Sequence, residues 1–182
     1  MRFKNREEAS RILAKKLSRL EVADPLVIGL PRGGVPVAAA VAKSFKAPLD
    51  VLIVRKLGFP EDPEYGFGAV TENGIYHIDD DVFKTRRILN SDLQKVVGGE
   101  MRELQRRVSA FRKTRSFPSV EGRTVFVCDD GLATGNTALA ACEYLRAHGA
   151  ARVGICVPVG SRSASERLRR WGAEVECLET PE

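Results

Sequence analysis

The chain has 182 residues, with 29 Lys and Arg against 24 Asp and Glu, a formal net charge of +5, and 43% hydrophobic and 29% charged residues. That is the size of one domain with a substantial core, and the balance of apolar and charged residues excludes disordered, collagenous and fibrous chains. No apolar run reaches the roughly 20 residues that span a bilayer, and the opening MRFKNREEASRILAKKL is charged throughout without the apolar stretch of a secretory leader, so a soluble, cytoplasmic protein with no membrane partner is expected.

Residues Asn5 to Leu20 predict a helix with Ala9, Ile12, Leu13 and Leu17 on one face, and the Asn5/Glu8 spacing is that of a capping box. After Pro25, Leu26 to Leu30 reads as a buried strand, Pro31-Arg32-Gly33-Gly34 as a loop, Val35 to Phe45 as a helix of small apolar residues, and Val51 to Val54 as a second buried strand. Leu57 to Phe67 has two prolines, two glycines and no period, which predicts a loop. A short strand is expected over Ile75 to Ile78, after the Asn73-Gly74 turn. Asp81 to Thr114 then reads as a long amphipathic helix, with Leu93, Val96, Val97, Met101, Leu104, Val108 and Phe111 at helical spacing and Gly98-Gly99 expected to weaken or bend it. A third buried strand, Val125 to Cys128, ends in Asp129-Asp130. A helix follows from about Thr137 to His148, then a strand over Val153 to Val157, a short helix over Ser163 to Arg170 and a last strand over Val175 to Leu178.

Uniformly apolar strands alternating with helices predict an α/β fold: an open, mostly parallel twisted sheet with helices on both faces. The whole chain, 1–182, reads as one domain, with a strand-helix insertion over about 75–116 and a short C-terminal cap over 157–182. Cys128, Cys142, Cys156 and Cys177 form no C-x-x-C pair and read as reduced, packed thiols. His77 and His148 have no partner at metal-ligand spacing and read as structural, as does Trp171.

In such a sheet ligands bind beyond the carboxyl ends of the strands. Three segments are expected there, on one edge: Pro31 to Gly34, Arg55-Lys56, and Asp129-Asp130 with the following Gly131 to Thr137. Thr134-Gly135-Asn136-Thr137 stands between a strand and a helix N-terminus, where unpaired N–H groups and the helix dipole favour an anion. It lacks the Gly-Lys-Ser/Thr ending of a Walker loop, and no G-x-G-x-x-G occurs in the chain. Two carboxylates beside an anion cradle would repel the anion if aimed at it. They fit a group rich in hydroxyls one sugar ring away, as in a ribose 5-phosphate, each charge-assisted bond contributing about 1.5–3 kcal/mol.

The run VFVCDDGLATGNT resembles the signature of type I phosphoribosyltransferases: an apolar strand, two acids, a short apolar stretch, then Thr-Gly-x-Thr. Arg32-Gly33-Gly34 is similar to that family's pyrophosphate loop and Val54-Arg55-Lys56 to its basic pair. With GLPRGGVPVA and VRKLGFPEDPEYGFGAV, the likeness covers nearly the whole chain, and it is narrower to a branch of predicted phosphoribosyltransferases whose acceptor is not established. The resemblance implies an enzyme of nucleotide metabolism and nucleoside salvage. It would transfer ribose 5-phosphate between 5-phosphoribosyl 1-pyrophosphate and a nitrogenous base through an oxocarbenium-like sugar. Asp129 and Asp130 would hold the ribose hydroxyls, and Ala133, Thr134, Gly135, Asn136 and Thr137 the 5′-phosphate. Arg32, Gly33 and Gly34 would bind pyrophosphate, and Arg55 and Lys56 would offset its charge. Mg²⁺ would be held mainly through the donor's own oxygens, without a dedicated protein metal site.

Ala133 stands where some members carry an acid that helps deprotonate a purine, an arrangement similar to adenine phosphoribosyltransferases. Glu64, in the loop that closes over the donor in the family, is the candidate acceptor-side base. In the resembling branch the chain runs on past Pro181, in a stretch that would help cover the acceptor. A homodimer is implied, which would also cover the amphipathic helix. The basic residues between Lys84 and Arg115 are interspersed with acids and read as a solvated helix face. The alternative is a nucleic-acid stripe, and with it a non-catalytic regulator of the same fold that senses the donor or a nucleotide. A protein that only hydrolyses or stores phosphoribosyl compounds is a third reading.

Overall fold

In the computed structural model, residues 3–62, 65–86, 89–113 and 115–181 are described. The elements in chain order are α1 (Arg6–Leu17), β1 (Pro25–Gly29), α2 (Gly34–Phe45), β2 (Leu49–Val51), β3 (Val54–Gly58), β4 (Gly66–Thr71), β5 (Tyr76–Ile78), α3 (Asp80–Thr85), α4 (Asn90–Arg112), β6 (Thr124–Cys128), α5 (Asn136–Ala147), β7 (Arg152–Val159), α6 (Arg162–Trp171) and β8 (Glu174–Glu179). Five strands form a parallel sheet in the order β2-β1-β6-β7-β8, and β3-β4-β5 form a separate antiparallel meander.

Successive residues of a strand face opposite sides of a sheet, so a fully apolar strand serves two cores. Val27, Phe126, Cys128 and Cys156 pack beneath α1 and α2 through Leu13, Leu17, Val37 and Val41. Their neighbours Leu26, Ile28, Val125, Val127, Ile155 and Val157 pack beneath α5 and α6 through Leu139, Leu145 and Leu168. The meander adds a third core against α4, built from Ile53, Leu57, Phe67, Val70 and Leu104. Its other face lies on α5, where His77 Nδ1 sits 2.8 Å from Glu143 Oε1. All four cysteines are free thiols, three of them buried. Among the described residues no helix is long and apolar enough to cross a membrane.

The predicted α/β class holds, and so do α1, β1, α2, β6, α5, β7 and α6 within a few residues. The Asn5 side chain caps α1, accepting from Glu8 N at 2.9 Å, while Glu8 turns back to Lys4 N at 2.7 Å. The middle of the chain differs. The expected strand Val51 to Val54 is a crossing between sheets: β2 ends at Val51 and β3 begins at Val54, with Leu52 and Ile53 buried in different cores. The expected loop over Leu57 to Phe67 narrows to a link between Gly58 and Gly66, because both ends continue as strands. The single long helix is two, α3 and α4, and α4 runs through Gly98 and Gly99. At the C-terminus, the strand expected over Val175 to Leu178 is β8, an edge strand of the main sheet, pairing Gly154 with Glu174 through Val159 with Glu179.

Candidate active site

In the parallel register Gly29 pairs with Cys128 and Cys128 with Cys156, so the residues that follow β1 and β6 emerge together. Leu30 N donates to Cys128 O at 3.0 Å and Gly34 N to Leu30 O at 2.9 Å, which folds Pro31 to Gly34 into a turn feeding α2. The Pro31–Arg32 peptide is cis. This turn lies directly on the acidic doublet. A Cβ at Gly33 would stand 2.3 Å from Asp130 Cγ, and one at Gly34 would stand 2.3 Å from Cys128 O. Gly34 therefore requires glycine, because backbone stands in the way, while a Cβ at Gly33 would force the Asp130 carboxylate aside.

Asp129 Oδ1 accepts from Asp130 N at 2.8 Å. Burial pushes the Asp129 carboxyl up to about 7; the Asp130 N–H opposes the shift and the Asp130 charge adds to it. Asp130, itself half-buried, pairs with Arg6 of α1, Nη2 to Oδ2 at 3.1 Å.

Beyond the doublet, the segment Leu132 to Gly135 is pinned to the end of β7 and the start of α6. Leu132 N donates to Val159 O at 2.9 Å, Ser161 N to Leu132 O at 2.7 Å, and Ser161 Oγ to Ala133 O at 2.6 Å. Gly135 has φ +81°, a left-handed conformation that turns the chain into α5. The cap residue of α5, Gly135, has no side chain to offer, no acid lies in the first turn, and no bond from another described residue occupies its first N–H groups, which leaves them open to an anion. Arg167 of α6 holds this bend from behind: its guanidinium bonds Thr134 O, the Asn136 side-chain oxygen and Asp79, which itself caps α3.

The structure thus brings Arg32, Gly33, Gly34, Asp129, Asp130 and Ala133 to Thr137 to the carboxyl edge of the main sheet. Arg55 and Lys56 are not at the end of a main-sheet strand, as expected, but inside β3 of the meander. They line a cavity of ≈ 520 Å³ with Phe59, Lys95 and Glu100, and Arg55 Nε lies 2.6 Å from Glu100 Oε2. Glu64 lies outside the described residues. Arg32 is exposed and shares a pocket of ≈ 240 Å³ with Arg106 and Arg107 of α4. Sequence reasoning missed Arg6 and Arg167. Neither sits in a motif, and both act across long sequence separations that no local pattern reports.

An open parallel α/β sheet carrying a glycine turn, an acidic doublet and an uncapped helix N-terminus on one carboxyl edge defines the class. Residues 3–181 match the family described as phosphoribosyl transferase domain, and the chain belongs to that family. It is 46% identical over 179 residues to Rv0571c of Mycobacterium tuberculosis strain H37Rv, provisionally named a phosphoribosyl transferase; the match covers 98% of this chain and 40% of that protein. The chain therefore spans about two fifths of the length of the curated relatives it matches. Among solved structures it is similar to TT1426 from Thermus thermophilus, with TM-score 0.82, 39% identity, and coverage of 100% of this chain and 86% of that one. The orotate phosphoribosyltransferase of Mycobacterium tuberculosis H37Rv, crystallised with 5-phospho-α-D-ribosyl 1-diphosphate, shares the fold at TM-score 0.50 and 18% identity, over 95% of this chain and 71% of that one.

Proposed function

We propose that this domain transfers ribose 5-phosphate between 5-phosphoribosyl 1-pyrophosphate and a nitrogenous base. The observation that carries the reading is the contact of Gly33 with Asp130, on the same sheet edge as the uncapped N-terminus of α5. It supports an order of turn, carboxylate pair and helix N-terminus along that edge, which would match pyrophosphate, ribose and 5′-phosphate in turn.

In this reading the 5′-phosphate accepts N–H bonds from the first turn of α5 and from Thr134 and Thr137. The ribose hydroxyls donate to Asp129 and Asp130. When the C1–O bond breaks, its electron pair leaves with pyrophosphate and the sugar becomes oxocarbenium-like. The carboxylates favour that cation, and the Gly33 N–H with Arg32 favours the departing anion, the Gly34 N–H being held by Leu30 O. This is stabilisation by preset charge and needs no covalent intermediate. Two neighbouring carboxylates are fewer than the six oxygens Mg²⁺ prefers, which suits an ion carried in by the donor's phosphates and water. Its chemistry there is neutralisation of the pyrophosphate. Arg55 and Lys56 offset charge from the meander, Glu64 is the proposed acceptor-side base, and the working unit is a homodimer.

The test is pyrophosphate release from the donor with Mg²⁺ against a panel of purines, pyrimidines and orotate. Release that depends on one base is the expected result. Donor binding without release, joined to salt-dependent affinity for RNA or DNA, would replace the enzyme with a regulator of the same fold.

A further inference from the structure

The first residue of α1 reaches the acidic doublet. Arg6 is 81% exposed, its partner Asp130 is 31% exposed, and their 3.1 Å contact lies at the lip of the site. Nothing in α1 requires that contact, because the helix is capped through Asn5 and Glu8. An ion pair this open contributes little to stability and is readily exchanged for another partner.

Its position gives it a use. The Asp130 carboxylate lies against Gly33, so a guanidinium bonded to Oδ2 is already beside the turn that ends in α2. Ribose hydroxyls arriving at Asp130 would compete with Arg6 for the same oxygens. The displaced side chain then has a pyrophosphate within a short swing, and the guanidinium fork matches phosphate oxygens in a way an ammonium does not. Arg6 also borders a groove of ≈ 940 Å³ between α1 and α2, lined by Ala14, Pro36 and Ala40, which leaves it room to move.

We propose that Arg6 is a binding residue for the pyrophosphate of the donor: it is held on Asp130 until ribose hydroxyls take that carboxylate, and then bonds the pyrophosphate oxygens. The inference rests on the phosphoribosyl-transfer reading above and adds to it a residue from α1 and an exchange of partners. It predicts opposite effects on the two halves of the donor, which a purely structural ion pair would not produce.

The test is calorimetric titration of the full chain, as wild type, Arg6→Gln and Arg6→Lys, with ribose 5-phosphate and, separately, with magnesium pyrophosphate in the presence of saturating ribose 5-phosphate, so that Asp130 is already occupied. Arg6→Gln is expected to weaken pyrophosphate about tenfold, the loss of one charge-assisted contact, while ribose 5-phosphate binds as well or more tightly because Asp130 has lost a competitor. Arg6→Lys, keeping the charge without the fork, should recover part of the loss. Melting temperatures of the three should coincide. Pyrophosphate affinity in Arg6→Gln within about twofold of wild type, or equal weakening of both ligands, overturns the inference and leaves phosphoribosyl transfer standing. Wild-type protein that binds neither ligand overturns both.

Discussion

The α-carbon of Gly33 lies so close to the Asp130 carboxylate that an added methyl group would stand 2.3 Å from both Cγ and Oδ2. Gly33→Ala must turn that carboxylate away or shift the glycine turn, and either change removes the arrangement proposed to hold the donor. The same methyl at Gly34 would instead meet the carbonyl oxygen of Cys128 at 2.3 Å, inside the sheet edge. The two substitutions should therefore separate. Gly33→Ala is expected to lower donor affinity at least about tenfold with little change in melting temperature, and Gly34→Ala to destabilise the fold by roughly 1–3 kcal/mol or more. Donor titration together with urea unfolding checks both.

The raised Asp129 carboxyl sets two pH dependences. Between its ordinary value of 3.8 and about 7, the native protein holds a proton that the unfolded chain has released. Stability therefore falls as pH climbs through that window and levels off above it. Asp129→Asn, which carries no charge at any pH, should abolish this slope and, at about pH 8, be more stable than wild type by on the order of a few kcal/mol. Function runs the other way. Hydroxyl donors and a cationic sugar both favour the ionised carboxylate, so donor turnover should rise through about pH 7 to a plateau, and a pH–rate profile flat from about pH 6 upward would count against Asp129 as the ribose ligand.

Arg167 ties together three parts of the chain: α6, the bend at Thr134 and Asn136, and Asp79 at the start of α3. Among the described residues its buried Nε has no hydrogen-bond partner, so its hold depends on the two terminal nitrogens. Arg167→Ala should loosen the bend. Ribose 5-phosphate is expected to bind about tenfold more weakly, with stability reduced by about 1–3 kcal/mol for the acceptors left unpaired. Arg167→Lys cannot reach several acceptors at once and should recover little of either, as calorimetry and thermal melts would report.

Arg112 offers a stability test away from the site. It is 8% exposed, donates to Asp50 at 3.0 Å and Glu72 at 3.1 Å, and lies 4.9 Å from the centre of the Phe117 ring. It fastens the end of α4 to β2 and to the turn after β4. Arg112→Met leaves two carboxylates facing each other without their cation and should cost about 3–5 kcal/mol, while the folded fraction keeps its donor affinity. Denaturant unfolding measures the first and titration the second.

The legible parts of this chain were those whose local pattern and final environment agree. Val125 to Cys128 is apolar because both its faces are covered, and the Asp129-to-Thr137 run is chemically explicit. The meander was less legible. Arg55 and Lys56 place charge within β3, and Gly66-Phe67-Gly68-Ala69 lacks the branched residues that mark a strand. The reason is packing: a methyl at Gly68 would come within 2.3 Å of His77 O, so the closeness of neighbouring strands, not strand propensity, selects that residue. Gly98 and Gly99 stay helical because the rest of α4 is fixed by Leu93, Val97, Met101 and Leu104 on the meander. Arg6 and Arg167 have meaning only once α1 and α6 are placed beside the acidic doublet and the glycine bend.

Helix α5 begins at the bend proposed to hold the 5′-phosphate and carries Arg146 near its other end, where the guanidinium lies 4.7 Å from the centre of the Trp171 ring. Trp171 is the only tryptophan in the sequence. The molecule therefore contains its own optical gauge: a displacement of α5 on ligand capture changes the distance between a cation and the sole indole, and the emission of that indole follows it without any added label.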